Sequence, residues 1–167
     1  MKKLGLGILT FLMIGFMVPE PMVIPVEGAT ESDWNPVSFW YEPWGSSGVH
    51  KGLDIFSKKG VSVLSSTNLL VVYRGETERG GNILVGIGPK WRIHYFAHLD
   101  AIEEQVGLVV AANERIGTVG NTGNAKGKLP HVHYSILSLL PMFWRVDLST
   151  QGYKKAVYIN PAKYLAG

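Results

Sequence analysis

From residue 50 onward the apolar residues of this chain fall into short runs, at 53–56, 61–64, 69–73, 83–87, 93–97, 106–112 and 131–137, each followed by a turn signal. Every run has the length of a strand, and none reaches the roughly ten or more residues expected of a core helix. The turn signals are Lys58-Lys59-Gly60, Arg79-Gly80-Gly81, Asn113-Glu114 and a stretch from 117 to 130 with Gly117, Gly120, Gly123 and Gly127. Gly admits the left-handed backbone that tight turns need. The pattern predicts a mainly β fold: a single compact antiparallel β-sheet or sandwich-like domain, with long loops around a groove. One or two short helices are expected, near 100–105 and 161–165, and the stretch 117–130 reads as a long loop leading into the last strand.

Composition narrows the chemistry. At 167 residues there is room for one domain. With no cysteine, a disulfide framework, a thiolate zinc site and a cysteine nucleophile are all excluded, so a metal site must be built from His, Asp and Glu. The net charge of +3 is mild and scattered; it suits approach to an anionic envelope and does not support nucleic-acid binding.

The N-terminus reads as an export signal. Lys2 and Lys3 precede an uncharged run over 4–18, which Pro19, Glu20 and Pro21 break. That run is shorter than the roughly 20 residues of a comfortable membrane span, and Val26 and Gly28 offer small residues for cleavage before Ala29. The rival reading is an uncleaved membrane anchor through residues 4–18. Both place the domain outside the cytoplasm, in the periplasm, the cell envelope or the medium. The expected organisation is therefore a signal peptide or anchor over 1–28, an irregular lead-in over 29–49, and the functional domain over 50–167. The lead-in carries Trp34, Trp40, Tyr41 and Trp44, either as packing against the domain edge or as a substrate-stacking surface.

Five histidines carry the functional argument: His50, His94, His98, His131 and His133. On an extended strand, residues 50, 52 and 54 share a face, and Gly52 leaves room between His50 and Asp54 for a metal ion. Leu53 and Ile55 then point into a core. His131 and His133 likewise share a face, as two ligands or as one ligand and one proton-transfer group. Alternation puts His94, Phe96 and His98 on one face, with the two histidines about 13 Å apart along the strand, so both cannot join one compact site. Spacing does not choose between them, nor between His131 and His133.

In this order the three pieces resemble the lysostaphin-type (LytM-type) zinc endopeptidases of peptidoglycan. The motifs that carry the resemblance are His50-Lys51-Gly52-Leu53-Asp54-Ile55, Tyr95-Phe96-Ala97-His98-Leu99 and Pro130-His131-Val132-His133-Tyr134-Ser135-Ile136. The Gly-rich 115–123 stretch and Asn160-Pro161 fit the same family, and the match covers roughly 48–165. The resemblance implies one Zn²⁺ per chain, held by His50, Asp54 and His133, with His98 and His131 as catalytic histidines. It makes His94 a rim or structural residue. Family members often place a Tyr upstream of the first ligand to stabilise the oxyanion; here Tyr41 and Trp44 precede it, and neither is assigned that role. Substrate-contact residues are not assigned.

Three protein ligands would leave a fourth zinc position open, as in catalytic rather than structural sites. No His-Glu-x-x-His motif supplies a glutamate base, so the two remaining histidines must move the proton. The implied activity is hydrolysis of peptide bonds in peptidoglycan stem peptides or crosslinks. The alternative is a non-hydrolytic envelope module of the same fold that regulates another wall hydrolase. A D-alanyl-D-alanine-type zinc peptidase is disfavoured, because its longer ligand spacing and Glu-x-x-His ending are absent. The resemblance implies either a glycine bridge or a D-alanine crosslink as the bond cut.

Overall fold

The computed structural model describes residues 2–165; Met1, Ala166 and Gly167, the outermost ends of the expected N-terminal segment and domain, lie outside the described residues. Among the described residues, nine strands form one antiparallel sheet: β1 (Leu53–Phe56), β2 (Ser62–Leu64), β3 (Leu69–Thr77), β4 (Gly81–Gly88), β5 (Arg92–Ile102), β6 (Val109–Val110), β7 (Arg115–Val119), β8 (His131–Ser138) and β9 (Tyr158–Ile159). The main path runs β1-β8-β5-β4-β3-β6, with β7 joining β2 to β5 and β9 pairing with β8. The helices are α1 (Lys2–Met17) and α2 (Ala162–Leu165). The mainly β, antiparallel expectation is met.

Two local expectations are corrected. Residues 100–102 continue β5 rather than starting a helix, because Ala101 and Ile102 pair with Thr118 and Gly117 of β7. The same pairing turns the first part of the Gly-rich stretch into strand β7, so the long loop begins only at Gly120. Gly117 is needed there for close approach, since a Cβ would sit 2.5 Å from the Ala101 carbonyl.

One face of the sheet is the core. Leu53 and Ile55 of β1, Leu84 of β4, Phe96 of β5, and Val132, Tyr134 and Ile136 of β8 are fully buried on it. Each such aliphatic side chain contributes roughly 1.5–3 kcal/mol of hydrophobic stabilisation. Asp54, His131 and His133 sit at the alternate positions of the same strands, so the pleat turns them to the other face.

Strand β5 departs from simple alternation at one place. Leu84 pairs with Phe96 while Asn82 pairs with Leu99, so Ala97 and His98 together oppose Ile83. This is a β-bulge, and His98 occupies it at φ 64°. The bulge re-aims the chain. His94 and Phe96 stay on the core face, whereas Ala97 and His98 both face the groove. The expectation that His94, Phe96 and His98 share one face is therefore overturned.

The segment before residue 29 packs on the domain. Val26 is buried and bridges to Val63, and Val23 and Glu27 donate backbone hydrogen bonds to Ser66 and Ser62. The Glu20 carboxylate, only 2% exposed, pairs with Arg92 Nη1 at 2.5 Å and Lys90 Nζ at 3.3 Å. Trp91 Nε1 donates to the Leu12 carbonyl of α1 at 2.9 Å. Among the described residues no helix is long and apolar enough to cross a membrane.

Candidate metal centre

The three carboxylate and imidazole groups of the His50–Asp54–His133 set meet at one point. His50 Nε2 lies 3.1 Å from Asp54 Oδ1 and 3.2 Å from His133 Nδ1, and His133 Nδ1 lies 2.7 Å from Asp54 Oδ1. Antiparallel register explains the convergence: Asp54 on β1 lies directly opposite His133 on β8. His50 precedes β1 and is held by backbone hydrogen bonds to both sides, donating to the Tyr41 carbonyl and accepting from Trp40. Gly52 is required between them, because a Cβ would come within 2.7 Å of Ser135 Oγ, the Tyr134 carbonyl and His133 Cε1. Its role is close approach to β8, rather than the open space above the strand that alternation suggests.

The outer nitrogens decide what the inner ones can do. His50 Nδ1 donates to the Ser38 carbonyl at 3.1 Å, because a carbonyl only accepts. Ser135 Oγ spends its proton on the Lys51 carbonyl at 3.0 Å and so accepts from His133 Nε2 at 3.0 Å. His50 Nε2 and His133 Nδ1 are thereby left as lone-pair donors aimed at each other and at Asp54. Three electron-rich atoms facing one another need a cation between them. Ligand atoms around tetrahedral zinc stand roughly 3.3 Å apart, given bond lengths of about 2.0–2.1 Å, and the observed triangle falls just inside that spacing. The set fits such an ion, and a fourth side is open to the groove.

Burial pushes the Asp54 carboxyl upward, but positive charge and N–H donors at the facing His133 and His50 positions, the role a bound cation would take over, outweigh it and hold the group well below the usual carboxylate range. Its second oxygen faces His131 Nε2 at 3.9 Å.

The other two site histidines are capped in the same way. His131 Nδ1 donates to the Leu129 carbonyl at 2.7 Å, and His98 Nδ1 donates to the Thr122 carbonyl at 2.9 Å. Each keeps Nε2 free to accept a proton. Their rings lie 5.1 Å apart, and His98 is 6.1 Å from the His133 ring. Burial, then the neighbouring His131 and His133, lowers the His98 pKa to about 4 against the opposing Thr122 bond and Asp54 charge, so its imidazole is neutral near pH 7. The loop that supplies Thr122 docks on the 79–81 turn, where Gly81 and Gly123, at φ 63° each, leave no room for a Cβ between them.

All four histidines and Asp54 line one open groove of about 860 Å³. His94 is not among them. It is fully buried on the core face, its Nδ1 2.7 Å from the Tyr134 hydroxyl. The structure thus separates the two histidines that spacing left open, and it brings together His50, Asp54, His98, His131 and His133.

Several residues in and around the groove were given no role by the sequence. Ser135 shares the alternation of His131 and His133, and that signal could have found it. Tyr95 and Tyr158 line the groove as protonated phenols: burial raises both, and Tyr158 further raises Tyr95. Lys51 is lowered by burial and then by the charge of Lys154, which lines the same groove. Of the lead-in aromatics, Trp34 is core, whereas Trp44 stacks on His50 with ring centroids 4.0 Å apart. Trp40 packs edge-on against Tyr158 at 6.0 Å.

Comparisons with known proteins agree with this geometry. The chain is 28% identical over 138 residues to the murein hydrolase activator NlpD of Salmonella dublin, covering 73% of this chain and 36% of that protein. It is 32% identical over 123 residues to an L-Ala--D-Glu endopeptidase of Bacillus subtilis (strain 168), covering 63% of this chain and 35% of the relative. The chain thus spans about a third of the length of these curated relatives. The catalytic domain of the antimicrobial peptidase lysostaphin from Staphylococcus simulans superposes with a TM-score of 0.59 at 25% identity, covering 75% of this chain and 86% of that one. Peptidases of the family described as Peptidase family M23 are zinc-dependent, and its model matches residues 48–142. That match spans more than half of the chain and includes every residue of the converging donor set, and on this ground the chain belongs to peptidase family M23.

Proposed function

We propose that the chain is a zinc-dependent endopeptidase that hydrolyses peptide bonds in the stem peptides or crosslinks of bacterial peptidoglycan. The observation that carries this reading is the lone-pair geometry: two imidazole nitrogens and one carboxylate oxygen, each with its outer partner satisfied, converge beside two further histidines with free Nε2 atoms. His50, Asp54 and His133 would hold one zinc ion. When bound, it supplies an acidified water and polarises the scissile carbonyl.

His131 Nε2 accepts the proton of the attacking water, with the Leu129 carbonyl fixing its tautomer and Asp54 stabilising the imidazolium that forms. Neutral His98 orients that water through its own Nε2. The protonated phenols of Tyr95 and Tyr158 line the groove and offer hydroxyl donors for the charge that develops on the substrate oxygen. Trp44, stacked on His50, closes one side of the ligand set to solvent.

The activator reading has its own support in the similarity to a murein hydrolase activator. Purified peptidoglycan incubated with the zinc-loaded chain separates the two. New amino termini are expected, and they disappear with a chelator or with His131→Ala while the variant keeps its zinc. Absence of new termini, together with stimulation of a second hydrolase, would establish the activator reading instead.

The domain is proposed to work outside the cytoplasm, where peptidoglycan lies. Because Glu20 and Val26 are built into the folded domain, we infer that export leaves them attached. Amino-terminal sequencing of the exported protein should give a start at or before residue 20; a start at Ala29 would contradict this.

A further inference from the structure

Four cations, Lys51, Arg79, Lys128 and Lys154, line the groove against the single acid Asp54, and two of them, Lys51 and Lys154, are tied to one another. Lys154 Nζ donates to Gln151 Oε1 at 2.8 Å, and Gln151 Nε2 donates to the Ser47 carbonyl at 2.9 Å. Lys51 Nζ donates to that same carbonyl at 2.8 Å and to the Val49 carbonyl at 3.3 Å. One amide and one carbonyl therefore tie the two lysines together. An ammonium carries three N–H donors, so Lys51 and Lys154 each retain donors with no protein acceptor.

The pairing of neighbouring charges makes this specific. Lys155, the next residue, is held by Asp147 Oδ2 at 2.5 Å outside the groove. Among the described residues, neither Lys51 nor Lys154 forms an ion pair, and Asp54, already committed to His50 and His133, is the one acid lining the groove. Two like charges held side by side in a partly buried groove repel one another, and a bound anion removes that cost.

We propose that Lys51, Gln151 and Lys154 form a carboxylate-binding subsite, so that the peptide this groove takes carries a free carboxylate near the scissile bond. The inference rests on the peptidase reading for the identity of the ligand as a wall peptide. It favours acidic stem peptide over an uncharged glycine bridge. The carboxylate would sit between the two ammonium groups, with Gln151 keeping them in place. Its source is either an internal acidic residue or the peptide's carboxyl terminus.

The test uses zinc-loaded full chain carrying His131→Ala, so that binding is read without turnover. Synthetic stem peptides are compared by calorimetry in three forms: free acid, amidated at the internal acidic residue, and amidated at the C-terminus. Amidation at one of the two positions should weaken binding about tenfold or more, the worth of a charge-assisted hydrogen bond, and that position identifies the source. Lys154→Gln should erase the difference between acid and amide, and Lys155→Gln should preserve it. Equal affinity for all three forms, absence of binding, or a preference that survives Lys154→Gln overturns the subsite. With His131 intact, cleavage of acid and amide forms at equal efficiency would overturn the subsite and leave the peptidase standing. A carboxylate preference without any cleavage would do the reverse.

Discussion

Strand β5 carries a histidine on each face of the sheet, and their surroundings differ in every respect that matters for chemistry. His94 lies in the core, with Nδ1 shared between the Tyr134 hydroxyl at 2.7 Å and Ser66 Oγ at 3.3 Å. Its Nε2 is buried without a hydrogen-bond partner, 3.8 Å from Glu20. Burial, then the charge of Arg92, lowers its pKa to about 3, so it is neutral at any ordinary pH. His98, past the bulge, looks into an open groove with one nitrogen capped and the other free. Residue type and strand are shared by the two; what separates function from packing is which nitrogen is left over, and what it faces.

The largest effect that would break this comparison lies in the groove. His131→Ala should lower hydrolysis by about 10²–10⁴ with zinc content unchanged, whereas His94→Gln should leave the rate per folded molecule as it was. Steady-state cleavage of a defined wall peptide, normalised to folded protein, checks both. A comparable loss in the two variants would dissolve the distinction between the faces.

Next comes the outer cap. Ser135→Ala removes the acceptor that keeps the His133 proton on Nε2, and zinc affinity should fall about 10- to 100-fold. Competition against a chromophoric chelator measures this directly; unchanged affinity would mean that the tautomer is set by something else.

On the core side the expected cost is in stability. Tyr134→Phe removes the hydroxyl shared by His94 and Ser66, leaving them only their longer mutual contact at 3.3 Å, and should cost about 1–3 kcal/mol, read by denaturant unfolding, with zinc stoichiometry intact. The pH dependence is subtler still. The folded pKa of His94, about 3, lies below its ordinary value of 6.5. Between those values the unfolded chain therefore holds the extra proton. The stability associated with neutral His94 is full above pH 6.5 and is lost as pH falls toward 3, with a slope of at most about 1.4 kcal/mol per pH unit. His94→Gln should flatten that part of the profile. Identical slopes in the two proteins would place the acid sensitivity elsewhere.

Much of this was legible in the chain. The apolar run at 53–56 is β1 to the residue, because its burial alternates against a single neighbour, β8. Spacing left His131 and His133 open, and the grouping of His50, Asp54 and His133 was implied by the family resemblance; in the fold, register sets Asp54 opposite His133. What escaped were features made by contacts distant in sequence. The bulge at Ala97 and His98 is fixed by the Gly80 carbonyl, which accepts the His98 backbone N–H, and by the Thr122 loop, neither of which leaves a trace in residues 93–99. The helix expected near 100–105 lost to pairing with a strand hidden inside a Gly-rich stretch. Lys51 and Lys154 meet only in space, so their shared hydrogen bonds could not be anticipated from a mild net charge.

Metal analysis of three purified proteins tests the central claim most directly: the wild type, His133→Ala and His94→Ala, each loaded with zinc, freed of excess metal and measured by mass spectrometry. The account predicts about one zinc per chain in the wild type and in His94→Ala, and close to none in His133→Ala. Full zinc occupancy in folded His133→Ala, or its loss in folded His94→Ala, would contradict it.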